Sequence, residues 1–187
     1  MTGKARARRV KMILTDVDGT LTDGTLAVLP DGEEIKAYHV RDGLGVLLAQ
    51  LVGLRTGIIT GKTSRGLTAR AKRLRIEELH QGVLNKKPVF EEILKRNGLR
   101  PEEVAYIGDD LGDLEIMKRA GLAGAVADAH PAIRRQAHYV CRHAGGKGAF
   151  REFVEFIIGA QKKWGVVAAR FEYLFDRTRA RSTGGGE

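Results

Sequence analysis

Short apolar blocks alternate along the chain with polar and turn-forming residues, and their spacing predicts the elements. Val10 to Thr15 is a β-type apolar run that ends in acids, as a buried strand would. Leu26 to Leu29 and Glu34 to Val40 flank Pro30-Asp31-Gly32, a turn signal, and predict a β-hairpin. Leu44, Leu47, Leu48 and Leu51 share one helical face, with Gly53 ending that helix. Leu54 to Thr60 reads as a strand stopped by Gly61, and Ser64 can cap a helix that runs through Leu74. Glu78-Leu79-His80 is a short strand, and Pro88 to Asn97 a helix with Gly98 just beyond it. Val104 to Ile107 is a strand, Leu111 to Ala120 a helix closed by Gly121, and Ala123 to Ala127 a strand. Pro131 starts a short helix, Tyr139-Val140 is a final strand, and Gly148 to Trp164 is an amphipathic helix.

Strands that alternate with helices predict an α/β fold, a doubly wound, Rossmann-like and mostly parallel sheet with the hairpin as a flap. The expected organisation is one domain over 10–164, with the flap at about 21–40. A basic tail at 1–9 precedes it, and a C-terminal tail at 165–187, partly disordered in its Gly-rich end, follows.

Charge changes the picture only at the ends. The net charge is +9. Residues 1–11 carry Lys4, Arg6, Arg8, Arg9 and Lys11 with no acid, and the segment from Lys162 onward adds six cations against three acids. The body between is nearly neutral, which points to solvated basic ends. Aromatics are 6% of residues and no stacking motif accompanies the basic ends, which argues against a nucleic-acid module. No run reaches the roughly 18 apolar residues of a membrane span. The single cysteine, Cys141, excludes an internal disulfide and fits a reducing compartment, so a cytoplasmic location is expected.

The candidate chemistry falls at strand ends, where ligands gather in such sheets. Asp16-Val17-Asp18-Gly19-Thr20 follows the first strand, and Thr60-Gly61 the second. Lys86 follows the short strand at 78–80, and Asp109, Asp110 and Asp113 follow Ile107. Acids, a hydroxyl and a lysine on adjacent strand ends suit phosphoryl transfer beside a hard cation such as Mg²⁺. Asp16 can attack phosphorus as a carboxylate nucleophile. Asp18 can protonate the leaving oxygen and then activate water. Thr60 can donate to a phosphoryl oxygen, and Lys86 can offset its charge.

Asp16-Val17-Asp18-Gly19-Thr20-Leu21-Thr22, Ile59-Thr60-Gly61, Lys86 and Gly108-Asp109-Asp110-Leu111-Gly112-Asp113 together resemble the four motifs of the haloacid dehalogenase-like phosphatases. The resemblance implies Asp16 as nucleophile and Asp18 as acid/base. It also implies Mg²⁺ held by Asp16, the Asp18 carbonyl and Asp109, supported by Asp110 and Asp113. Only the hairpin lies between the first motif and the helix at Asp42, which leaves no room for a cap domain. Asp23-Gly24, Gly32-Glu33-Glu34, His39-Val40-Arg41-Asp42-Gly43, Gln81-Gly82, Val126 to Pro131 and Gly145-Gly146-Lys147-Gly148 resemble the capless 3-deoxy-D-manno-octulosonate 8-phosphate phosphatases in particular.

That likeness implies a sugar-phosphate substrate contacted at Asp18, His39, Val40, Arg41, Asp42, Gly43, Lys62, Arg70 and Lys86. It also implies a homotetramer with hairpins at the inner interface, in which Lys147 or the chain after Trp164 approaches a neighbour's site. Three positions depart from the pattern: His39 in place of Asn, Leu47 in place of Arg, and Lys62 in place of Arg. Nonulosonate 9-phosphate phosphatases share the capless body and stay open, as does a non-catalytic subunit of a larger enzyme. A phosphorelay receiver would need its phospho-acceptor Asp at the end of the third strand, whereas the strand ending near residue 59 gives Thr60 and no Asp follows for many residues.

Overall fold

The computed structural model describes residues 1–172. Its frame is one sheet of six strands, all parallel: β1 (Met12–Thr15), β4 (Arg55–Ile59), β5 (Glu78–His80), β6 (Val104–Gly108), β7 (Leu122–Ala125) and β8 (Tyr139–Val140). Their spatial order is β5-β4-β1-β6-β7-β8. The chain winds outward one way from β1 and then returns to wind the other way from β6. This reversal places a crevice between the carboxyl ends of β1 and β6.

The central strands β1 and β6 of this frame are mostly apolar because both faces are covered. Every residue of β1 and β6 is buried. One layer contains α1 (Gly3–Ala7), α2 (Val40–Leu51) and α7 (Ala149–Ala160), and the other contains α4 (Lys86–Asn97), α5 (Leu114–Arg119) and α6 (Pro131–Gln136). From α7, Phe150, Phe153, Ile157 and Ile158 are all essentially inaccessible to water. Each such side chain contributes about 2 to 3 kcal/mol through burial. The helix α3 (Arg65–Arg73) is capped by Ser64, whose hydroxyl accepts from the Leu67 N–H at 3.3 Å. The predicted hairpin forms a separate antiparallel pair, β2 (Ala27–Val28) with β3 (Glu34–Ile35).

Several boundaries differ from expectation, each for a local reason. The second hairpin strand stops at Ile35, and Val40 instead opens α2, because His39 caps that helix by accepting from the Arg41 N–H at 3.2 Å. α4 begins at Lys86, two residues before Pro88, so Lys86 lies in its first turn. The helix expected over 111–120 is a 3₁₀ turn, Leu111–Asp113, followed by the short α5. α7 ends at Ala160, and a second helical stretch occupies 164–172.

The basic N-terminal segment is not a solvated tail. Thr2 caps α1, Ala7 is fully buried, and the Arg6 guanidinium donates to the Gly121 carbonyl at 2.9 Å. Nor is the start of the expected C-terminal tail free: Val167 is buried and Arg170 donates to the Leu51 carbonyl at 2.5 Å. The Gly-rich end lies outside the described residues. Among the described residues, no helix is long and apolar enough to cross a membrane.

Candidate active site

Asp16 and Asp109 are the first residues beyond β1 and β6, so the switch point sets two carboxylates side by side. The Asp16 N–H continues the ladder by donating to the Ile107 carbonyl at 3.1 Å. Lys86 reaches in from the first turn of α4. Its ammonium donates to Asp16 Oδ1 and to Asp113 Oδ1, both at 2.7 Å, and lies 3.3 Å from the Tyr106 hydroxyl. Tyr106 donates in turn to Asp113 Oδ1 at 2.5 Å. The other Asp113 oxygen accepts from the Asp109 N–H at 3.0 Å and the Asp110 N–H at 3.4 Å.

Carboxylate oxygens of Asp16, Asp109 and Asp113 lie within 4.8 Å of one another, a donor set suited to a hard cation. Their hydrogen bonds divide their roles. Both Asp113 oxygens are engaged by donors, so Asp113 holds Lys86, Tyr106 and the 109–110 backbone in place. Asp109 gives one oxygen to the Thr20 hydroxyl at 2.9 Å. Its second oxygen lies against Gly19, where an added Cβ would stand 2.0 Å away, and Gly19 adopts φ +83°. Only glycine satisfies both conditions. Loop 143–148 presses on the same segment: a Cβ on Gly145 would meet the Gly19 carbonyl at 1.7 Å, and the Gly146 N–H donates to the Thr20 carbonyl at 2.9 Å.

Three acids around one lysine leave an excess of negative charge. Burial pushes the Asp16 carboxyl up to about 6; the Asp113 charge adds to this and Lys86 opposes it. Burial, then the Asp16 and Asp113 charges, push Asp109 up to about 7. For Lys86, burial works against the charged form, but Asp113 and Asp16 outweigh it and its pKa rises. An anionic cluster that raises its own pKa values is one that a cation would relieve.

Asp18 stands at the rim, where the Lys36 ammonium of the hairpin contacts its carboxylate. Lys36 also lies 3.8 Å from Glu34, which accepts from Lys62 at 2.7 Å. Glu33 pairs with Arg65. Thr60 is buried at the end of β4, with its hydroxyl 3.5 Å from the Lys62 N–H. A cleft of about 490 Å³ separates the hairpin turn, Asp31 to Glu34, from residues 62–65.

The residues expected around the substrate separate into two groups. Asp18 and Lys86 reach the crevice, and Lys62 is held at its mouth by Glu34. Val40 is 81% exposed and Arg41 is exposed at the start of α2, while His39 serves as that helix's cap. Asp42 is buried with its carboxylate committed to the first turn of α7, accepting from the Gly148 N–H at 3.2 Å and the Arg151 N–H at 3.0 Å. Arg70 packs against Gly43 and lies 5.9 Å from the centre of the Tyr38 ring.

Three contributors escaped the sequence reading. Tyr106 read only as a strand residue, although a phenol inside an otherwise apolar strand is a signal that its hydroxyl has a buried partner. Thr20 stood within the first motif with no role given. Lys36 carried no signal, because the hairpin's return path to Asp18 is a tertiary fact.

Residues 62–152 match the haloacid dehalogenase-like hydrolase family. The chain is 43% identical over 159 residues to 3-deoxy-D-manno-octulosonate 8-phosphate phosphatase of Escherichia coli strain K12, covering 85% of each protein. The crystal structure of the enzyme of that name from Yersinia pestis superposes with a TM-score of 0.84 at 43% identity, over 86% of both chains. A Moraxella catarrhalis structure, described as that phosphatase in complex with magnesium, phosphate and KDO, gives 0.87 at 36% identity, covering 90% of this chain and 97% of the other. The cluster of acids at the switch point and these likenesses place the chain in the haloacid dehalogenase-like hydrolases, as a phosphatase of that family.

Proposed function

We propose that the enzyme hydrolyses 3-deoxy-D-manno-octulosonate 8-phosphate in the presence of Mg²⁺, through an aspartyl-phosphate on Asp16. The observation that carries this reading is the Asp16–Lys86–Asp113 cluster beside Asp109 at the switch point, in a chain 43% identical to phosphatases of that name.

Asp16, Asp109 and the Asp18 carbonyl would hold Mg²⁺, which supplies charge neutralisation at the phosphoryl oxygens. The chain's own residues do the rest. The free Asp16 oxygen attacks phosphorus while the bond to the sugar oxygen breaks. Lys86 holds the other Asp16 oxygen and places positive charge beside the transferring group. The Thr60 hydroxyl donates to a phosphoryl oxygen. Protonated Asp18 gives its proton to the departing sugar oxygen, then takes one from the water that attacks the acyl-phosphate, releasing phosphate and restoring the Asp16 carboxylate. Lys36 contacts one Asp18 oxygen, so the flap reaches the group that handles this proton. His39, Val40, Arg41, Gly43, Lys62 and Arg70 are the proposed surroundings of the sugar, and Asp42 supports them through α7.

The departures at Leu47 and Lys62 favour one second reading, a nine-carbon nonulosonate 9-phosphate. Lys62 is tied to Glu34 and lacks the forked donors with which Arg grips a carboxylate. A kcat/KM comparison across both sugar-acid phosphates and small phosphomonoesters tests the substrate. A wide preference for the small esters would overturn it.

We also propose a cytoplasmic homotetramer. Leu26, Val28, Leu29 and Ile35 are 41 to 63% exposed on a hairpin of two-residue strands. Such a hairpin is marginal unless another surface covers it.

A further inference from the structure

The basic segments at 8–11 and 162–163, which the reaction does not use, meet in space. Residues 8–11 lead into β1, Arg100 leads into β6 through the 3₁₀ turn Pro101–Glu103, and Lys162 and Lys163 follow α7. The Lys11 N–H donates to the Glu103 carbonyl at 2.7 Å, which joins the first two segments. Because all six strands are parallel, their starting ends form the edge of the sheet opposite Asp16. There, Arg8, Arg9, Lys11, Arg100, Lys162 and Lys163 line a groove of about 630 Å³.

The acids nearby do not balance these cations. Glu103 pairs with Lys11 at 2.7 Å and Arg100 at 3.6 Å, and Glu102 with Arg100 at 3.5 Å and Arg9 at 3.9 Å. Two carboxylates thus pair with three of the six cations, while Arg8 and Lys163 donate to the neutral Ala160 and Val52 carbonyls at 3.4 and 3.0 Å, which leaves their charge uncompensated. The Lys11 hydrogen bond and the Arg100 backbone N–H hold the Glu103 carboxyl down at about 2, so it stays ionised and is already used. The helix dipoles of α1 and α7 favour a cation or two at their C-terminal ends. They do not account for Lys11 or Arg100, which belong to the strand entries. Lys162 has φ +57° just past α7, at a position glycine ordinarily fills. Lys162 nevertheless stands there and lines the groove.

We propose that this groove binds a small ligand carrying two or more phosphate groups, at a site separate from the catalytic crevice. Arg8, Arg9 and Arg100 carry guanidinium forks of the kind that match phosphate oxygens; a phosphate would share Arg9 and Arg100 with Glu102 and Glu103, and the lysines add point charge. The cations are spread over three chain segments, so a single phosphate reaches only part of them and a chain of phosphates reaches most. An inorganic polyphosphate and a nucleoside triphosphate offer the same chemistry.

Isothermal titration calorimetry reads binding to the groove directly, without relying on a reporter residue. The full-length protein in chelator is titrated with tripolyphosphate, ATP and orthophosphate. The expected result is saturation at one tripolyphosphate per chain, about tenfold or more tighter than orthophosphate and weakened by salt. Whichever of ATP and tripolyphosphate binds more tightly identifies the source. The double variant Arg100→Glu/Lys162→Glu changes exposed side chains only. It should lose at least about tenfold in this affinity while keeping its melting temperature and kcat/KM. Asp16→Asn should bind as the parent does. The inference is overturned by any of four results: no saturable binding below millimolar tripolyphosphate, binding untouched by the charge reversal, binding abolished by Asp16→Asn, or tighter binding of a short DNA oligonucleotide than of tripolyphosphate.

Discussion

Around Asp16, nearly every polar group taken from water finds partners within the chain, whereas the hairpin meets the same crevice through ion pairs that remain partly wet. Asp113 and Lys86 are buried and each makes three or more hydrogen bonds. Glu33 with Arg65, and Glu34 with Lys62, join flexible side chains across a cleft open to solvent. The first arrangement fixes reacting groups to within a fraction of an ångström, because a buried and fully partnered network has no cheap alternative geometry. The second can be exchanged for contacts with a substrate or a neighbouring subunit at little cost. On the proposed function, chemistry belongs to the carboxyl end of the sheet, and the flap's exchangeable contacts belong to substrate selection.

The largest effect should come from Asp16→Asn. The amide neither attacks phosphorus well nor offers a cation a full negative charge, so turnover should fall by about 10⁴-fold or more. Steady-state phosphate release measures it, and near-parental activity would end the covalent mechanism.

Asp113→Ala should come next. Lys86 loses one of two carboxylate partners, Tyr106 its acceptor, and the 109–110 backbone its anchor. Breaking a buried pair costs about 3 kcal/mol, although relief of repulsion on Asp16 and Asp109 reduces that here. Misplaced by even an ångström, the reacting groups should lose about 100-fold in kcat. Denaturant melts and kinetics read the two effects separately, and loss of stability alone would deny Asp113 a positioning role.

The contrast also explains what could be read from the chain before its structure. The crevice was legible because its acids and Thr60 follow strands with apolar runs, Lys86 follows the short strand beside them, and parallel sheets gather such ends. Asp113 was foreseen as support, whereas Tyr106 was not, because its role depends on which face of β6 turns toward Lys86. The flap was legible as a hairpin from Pro30-Asp31-Gly32, yet its landing on Asp18 through Lys36 was not. Side-chain periodicity reports the faces of elements and says nothing of how a flap folds back. The basic ends misled for the same reason: charge runs suggested solvent, and burial of Ala7 with Val167 decided otherwise.

Titration sharpens the same comparison. Asp16 and Asp109 have folded-state pKa values raised to about 6 and about 7, so the metal-free native state binds protons more tightly than the unfolded chain. These groups therefore cost the apo protein stability above pH 7, and the cost is relieved as pH falls through 7 and 6 toward the unfolded values. The melting temperature without metal should rise on acidification from pH 8 to 6, less so in Asp109→Asn. Mg²⁺ needs both carboxylates ionised, so its affinity should fall over the same window, by up to about tenfold per pH unit. Calorimetric titration at pH 6, 7 and 8 measures it. An affinity independent of pH would mean that the cluster does not bind the ion.

The flap gives two smaller effects. Val28→Asp places a charge on the exposed apolar face of the hairpin. In light scattering, it should convert a tetramer to smaller species with about tenfold lower kcat/KM, because the open site loses selectivity before it loses chemistry. A parent protein that is fully active at 20.5 kDa would refute the assembly.

Arg65→Ala should change least. Its guanidinium is exposed and pairs with Glu33 across the mouth of the cleft, so water and salt replace the contact readily. The melting temperature should be unaltered, and kcat should stay within about twofold, because no reacting group rests on this pair. Any change should appear in KM, where a looser flap admits substrate less selectively. Lys62→Ala is the control on the same side of the cleft, since Lys62 reaches the Glu34 carboxylate that also neighbours Lys36. It should raise KM more than Arg65→Ala does. If Arg65→Ala instead lowered kcat as Asp113→Ala is expected to, the ion pairs of the flap would belong to the fixed framework, and the division between a rigid edge and an exchangeable flap would fail.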